Sequence, residues 1–129
     1  MKIHHLGYAV KNLNLALRNF RKLGYNKLSP QVIDKQRKVV IQFIQKDGYQ
    51  LELVSPLGRQ SPLGNILKKI GPTAYHIGYE VKNINRKINQ LRRNKFVLLE
   101  KSSSAPAIAH KKVAFLFNKE IGLIELVEK

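Results

Sequence analysis

Residues 5–14 read HLGYAVKNLN and residues 76–85 read HIGYEVKNIN, so the chain states one phrase twice. His5, Gly7, Tyr8, Val10, Lys11, Asn12 and Asn14 return as His76, Gly78, Tyr79, Val81, Lys82, Asn83 and Asn85, and only Ala9 to Glu80 changes class. The ends of the halves match as well: VIQFIQKDGYQLELV (Val40–Val54) lies over VAFLFNKEIGLIELV (Val113–Val127). The repeat covers nearly all of both halves. Two units are too few for a solenoid, and the length suits one domain or two small fused modules.

Each unit has the same local grammar. It opens on a strand, IHHLGYAV or AYHIGYEV, and then Asn12 or Asn83 stands as a helix N-cap. Leu13, Ala16, Leu17, Phe20 and Leu23 follow at helical spacing, as do Ile84, Ile88 and Leu91. Gly24 and Asn94 are helix stops. A short strand near KLSPQVI or FVLLEK comes next, then a hairpin: KVVIQFIQ turns at Asp47-Gly48 into YQLELV, and KVAFLFN turns near KEIG into LIELV. Each unit therefore reads β-α-β-β-β. Between them, SPLGNILKKIG reads as a linker helix, with Ser61 as cap, Pro62 in the first turn, Leu63, Ile66, Leu67 and Ile70 as an apolar stripe, and Gly71 as the stop. The expected organisation is a first module over 1–56, a linker helix over 57–72 and a second module over 73–129. Tyr8 and Tyr79 should pack beneath the helices.

The strands hold polar residues where apolar ones belong. Alternate side chains of a strand share a face. His5 and His76 open equivalent strands, and LELV and IELV each place one carboxylate, Glu52 and Glu125, inside an apolar run. The chain has only 8 acidic residues, and two of them take equivalent places in its most apolar strands. An uncompensated buried carboxylate costs several kcal/mol. Two imidazoles and two carboxylates related by the repeat suggest one answer, a divalent metal ion such as Ni, Co, Zn, Mn or Fe, held by His5, Glu52, His76 and Glu125. Such a set leaves room on an octahedron for water or substrate. The absence of cysteine excludes disulfides and thiolate metal sites.

Composition sets the remaining bounds. The net charge of +16 is spread over RNFRK, DKQRK, LKK, NRK, LRRNK and HKK, with no nucleic-acid motif, and reads as solvated surface. Some of these cations could steer an anionic substrate. No run approaches the roughly 18 apolar residues a membrane helix needs, and MKIHHLG carries no apolar signal stretch. A cytoplasmic, membrane-free protein is expected.

The strings HHLGYAV, LELVSPLGRQSPL, YHIGYEVKNI and VAFLFN…GLIELVEK resemble the vicinal oxygen chelate superfamily, the glyoxalase, bleomycin-resistance and dioxygenase group. The resemblance implies an α+β fold in which two tandem βαβββ modules form a cupped mixed sheet around a metal site. It places the ligands at His5, Glu52, His76 and Glu125, with one divalent ion per site: Ni, Co or Zn first, and Mn, Mg or Fe as alternatives. It implies a metal-dependent lyase or isomerase. The first expectation is glyoxalase I-like proton abstraction beside a carbonyl. The alternative is a methylmalonyl-CoA epimerase-like isomerase, supported by ELVSPLGRQSPL ahead of the linker helix. A non-catalytic binding protein of the bleomycin-resistance type is a further alternative. A two-His, one-carboxylate dioxygenase is opposed by the second glutamate. By the same resemblance Glu125 is the first candidate for catalytic base and Glu52 the second. The substrate would be a small anionic thiol-linked molecule, a glutathione or CoA adduct, and the assembly a homodimer. Arg59 and the lysines near Lys68 could meet such an anion. His4 alternates away from His5 and is surface or supporting, and His110 is an exposed residue beside a mobile SSSAPAIA loop.

Overall fold

The computed structural model describes residues 1–129. The chain forms nine strands and three helices, in the order β1 (Lys2–Ala9), α1 (Leu13–Lys22), β2 (Asn26–Lys27), β3 (Val32–Asp34), β4 (Val39–Lys46), β5 (Tyr49–Pro56), α2 (Leu63–Lys69), β6 (Thr73–Val81), α3 (Ile84–Arg93), β7 (Val97–Ala105), β8 (Lys111–Asn118) and β9 (Gly122–Glu128). It is an α+β fold with mixed pairing, as the sequence implies. No helix is long and apolar enough to cross a membrane.

The chain groups into two compact units, Leu6–Tyr75, and Met1–His5 together with His76–Lys129. In the first, the strand order is β2-β4-β5-β1, with β3 also on β4. β1 runs parallel to β5, and β4 and β5 form a hairpin. Its turn is at Asp47 and Gly48, both with positive φ (53° and 81°), the backbone that a two-residue type I′ loop demands. Val10, Leu13, Leu17, Ile44, Leu51 and Leu53 bury one sheet face against α1. Tyr8 packs edge-on against Phe20 under that helix, ring centroids 5.2 Å apart. Emptying such a site, for example Leu53→Ala, costs about 2–5 kcal/mol.

In the second unit the order is β6-β9-β8-β7, with the leading residues of β1 beside β6. Val81, Ile84, Ile88, Ala114, Leu116, Ile124 and Leu126 bury the face under α3, and Tyr79 packs there too. Both long helices start as the sequence predicts: Asn12 Oδ1 accepts from the Leu15 N–H and Asn83 Oδ1 from the Arg86 N–H.

Three details differ from the sequence reading. The single short strand expected after α1 is two, β2 and β3, separated at Ser29-Pro30; proline has no N–H for the ladder and ends the pairing. The SSSAPAIA segment is not a mobile loop. Ser103 and Ser104 pair with Val113 and Lys112 as part of β7, and Pro106–Ile108 forms a 3-10 turn with Ile108 buried. The linker helix starts at Leu63, with Ser61 Oγ accepting from the Leu63 N–H at 3.4 Å; Leu63 and Leu67 are buried while Ile70 is 71% exposed, because Ile70 lies past the last helical turn.

Candidate metal centre

Residue alternation sorts β9 into two faces. Ile124 and Leu126 join the core under α3, so Glu125 and Val127 point away from it and are buried there as well. In register, Glu125 lies across from Gly78 on β6 and Phe115 on β8. Glu52 has the same neighbours in its own unit, Gly7 on β1 and Phe43 on β4. The repeat thus reproduces a local environment as well as a string of letters: a carboxylate flanked by a glycine and an aromatic ring.

His5, His76 and Glu125 are each at most 3% exposed, and they converge within one unit. His5 Nε2 lies 3.0 Å from His76 Nε2 and 3.2 Å from Glu125 Oε1, and His76 Nε2 lies 3.6 Å from the same oxygen. Glu125 Oε1 is buried and receives no well-aligned hydrogen bond from the protein. Two N–H groups cannot face each other at 3.0 Å, so at least one of these imidazoles presents a lone pair. The three separations match those between ligands of one ion: bonds of about 2.1 Å would put adjacent donor atoms roughly 3.0 Å apart at right angles and 3.4 Å apart at tetrahedral angles. Two nitrogens and one oxygen of this softness suit a divalent cation, and the residues fit such an ion.

The shape of the centre depends on an absent side chain. A Cβ placed on Gly78 would strike the His5 ring, 2.6 Å from Nδ1, 2.8 Å from Nε2 and closer still to Cε1. The His76 ring stands edge-on to Phe115, centroids 5.4 Å apart, which fixes its plane. Burial pushes the Glu125 carboxyl up, but the hydrogen-bonding approach of His5 and His76 outweighs it, and its pKa is lowered to about 2. Glu125 is therefore an anion at every physiological pH.

Glu52 is buried in the other unit, on the β5 face turned away from α1. Arg59 and Lys68 are exposed on and after the segment that leads into α2. His110 is exposed, as expected. His4 takes the second of its two expected places: it is half-buried, and its Nδ1 lies 2.8 Å from Nδ1 of His5. Gly78 is the contributor the sequence reading missed. The signal for the glycine was present, since Gly7 and Gly78 recur two places after the repeated histidines.

A buried His-His-Glu cluster and a βαβββ unit that recurs along the chain point to a class of protein, and the family comparison names one. Residues 4–115 match the model of the glyoxalase/bleomycin resistance protein/dioxygenase superfamily, and the chain belongs to that superfamily. Within it, the chain is similar to the mitochondrial methylmalonyl-CoA epimerase of Homo sapiens, 32% identical over 97% of this chain and 72% of that protein. It is similar also to an ethylmalonyl-CoA/methylmalonyl-CoA epimerase of Cereibacter sphaeroides, 33% identical over 97% of this chain and 96% of the other. The crystal structure of methylmalonyl-CoA epimerase from Mycobacterium tuberculosis shares the fold, with a TM-score of 0.87 at 24% identity, over 98% of this chain and 87% of that one.

Proposed function

We propose that this chain is a metal-dependent epimerase acting on the CoA thioester of a 2-substituted malonic acid. The observation that carries the reading is similarity over 97% of this chain, at about a third identity, to epimerases of that class, in a chain with a buried cluster of His5, His76 and Glu125. His5, His76 and Glu125 would hold a divalent cation, with Glu52, their counterpart by the repeat, as the fourth ligand. When bound, such an ion supplies Lewis-acid polarisation of the thioester carbonyl, which acidifies the neighbouring C–H.

The chain's own residues do the rest. Epimerisation removes the hydrogen between the thioester and the free carboxylate and returns a proton to the opposite side of the same carbon. Glu125 is the first candidate for the group that takes it. Its anionic state needs no deprotonation step, and a carboxylate at the reacting carbon is a competent general base once that carbon is acidified. Glu52, its counterpart by the repeat, is the second candidate, as the group that would return the proton. The burial of His5, His76 and Glu125 strengthens each of these charge interactions. The excess of lysine and arginine attracts the phosphates of CoA at long range.

Glyoxalase I chemistry, the first expectation from the sequence, shares the same proton abstraction but uses a glutathione adduct. The relatives described above support the CoA substrate instead. The deciding experiment offers both substrates to the cobalt-loaded protein. Exchange of the C2 hydrogen of methylmalonyl-CoA for deuterium in D2O, with no turnover of the methylglyoxal–glutathione hemithioacetal, supports the epimerase. The reverse pattern returns the assignment to glyoxalase I, and inertness toward both leaves a binding protein.

A further inference from the structure

His4 touches the centre without belonging to the ligand set. It and His5 are neighbours on one strand, where successive side chains leave on opposite faces. Their rings meet all the same, edge to face, with centroids 5.1 Å apart and planes at 86°. Nδ1 of His4 lies 2.8 Å from Nδ1 of His5. At that distance one nitrogen carries the proton and the other offers its lone pair. The remaining nitrogen of His5, Nε2, faces His76 Nε2 and Glu125 Oε1.

A neutral imidazole has one N–H, so the two ends of His5 are linked. With the proton on Nε2, His5 is a donor toward Glu125 and has no lone pair for a cation. With the proton on Nδ1, the Nε2 lone pair points into the cluster. We propose that His4 is the positioning residue of this centre: by accepting the Nδ1–H of His5, it holds that ring in the tautomer and orientation that can bind a divalent cation. The inference rests on the reading that His5, His76 and Glu125 take such an ion. A carbonyl or carboxylate usually provides this support to a metal-binding histidine; here the adjacent imidazole provides it. His4 in turn keeps its proton on Nε2.

The test titrates the metal-free protein with Co²⁺ by calorimetry, in the wild type and in His4→Asn, His4→Phe and His4→Leu, with the melting temperature of each recorded. The Asn Oδ1 occupies the place of Nδ1 and can accept the same proton, whereas Phe and Leu cannot. Loss of such a partner weakens binding by about 10–100-fold. That loss is expected in whichever apolar variants fold, with His4→Asn close to the wild type. Apolar variants that bind as tightly as the wild type would overturn the proposal, and so would a His4→Asn protein as weak as they are. A wild type that binds no Co²⁺ overturns the metal centre itself, a result distinct from both.

Discussion

At Gly78, a missing side chain makes the space in which the His5 imidazole turns toward Glu125. The φ of this residue is not positive, so the requirement is for room and not for unusual backbone. Gly78→Ala should leave the strands paired and displace the ring, weakening Co²⁺ binding at least as much as loss of a supporting partner, about 10-fold or more; an unchanged titration would show that His5 is not held where the structure puts it. Glu125 gives a second prediction, for the metal-free protein. Its pKa of about 2 lies below the ordinary value of about 4.3. The ionised group therefore contributes stability that is fully present above about pH 4.3 and is lost as pH falls through about 2. Urea midpoints for the wild type and Glu125→Gln, followed between pH 5 and pH 2, should converge toward the acid end; parallel curves would contradict the assignment. The four candidate ligands could be picked from the sequence because each broke an apolar pattern in duplicate. His4 was left between surface and supporting, because strand alternation turns it away and only the actual ring positions bring the two Nδ1 atoms together.

The helices depend on their first turns. Asn12 and Asn83 each accept an otherwise unpaired backbone N–H, and Glu128 Oε2 accepts the N–H of Ile84 at 2.9 Å, so α3 is capped from the last strand as well as from its own sequence. Neither first turn contains an acidic residue, so the caps carry the N-terminal stabilisation. Asn83→Ala should cost about 1 kcal/mol of unfolding free energy in chemical denaturation; no loss would mean that Glu128 suffices alone. The elements that could be read in advance are those with strong period or paired turn chemistry: both long helices, the Asp47-Gly48 hairpin and the two LV-rich strands. The departures have physical causes. Pro30 divides one short strand into β2 and β3, and the serines of β7, polar and without alternation, look like a loop until β8 supplies their ladder partners.

For the whole molecule, the net charge of +16 is the dominant global term. Like charges repel most in the compact state, and salt screens them over a Debye length of about 10 Å at 0.1 M. The melting temperature should therefore rise between 0.05 and 0.5 M NaCl, and a flat or falling curve would mean that the cations are locally paired. Membership of the superfamily was legible through the resemblance carried by HHLGYAV, LELVSPLGRQSPL, YHIGYEVKNI and GLIELVEK. The epimerase branch was legible only as the alternative, from ELVSPLGRQSPL ahead of the linker helix, because CoA and glutathione substrates share the reacting part and differ at the far end of the ligand. The central claim is that His5, His76 and Glu125 hold an ion. The most direct measurement equilibrates untagged protein with Co²⁺, desalts it and counts metal per chain by mass spectrometry, beside Glu125→Ala. The account predicts about one ion retained by the wild type and lost from the variant; a folded wild type that retains none would contradict it.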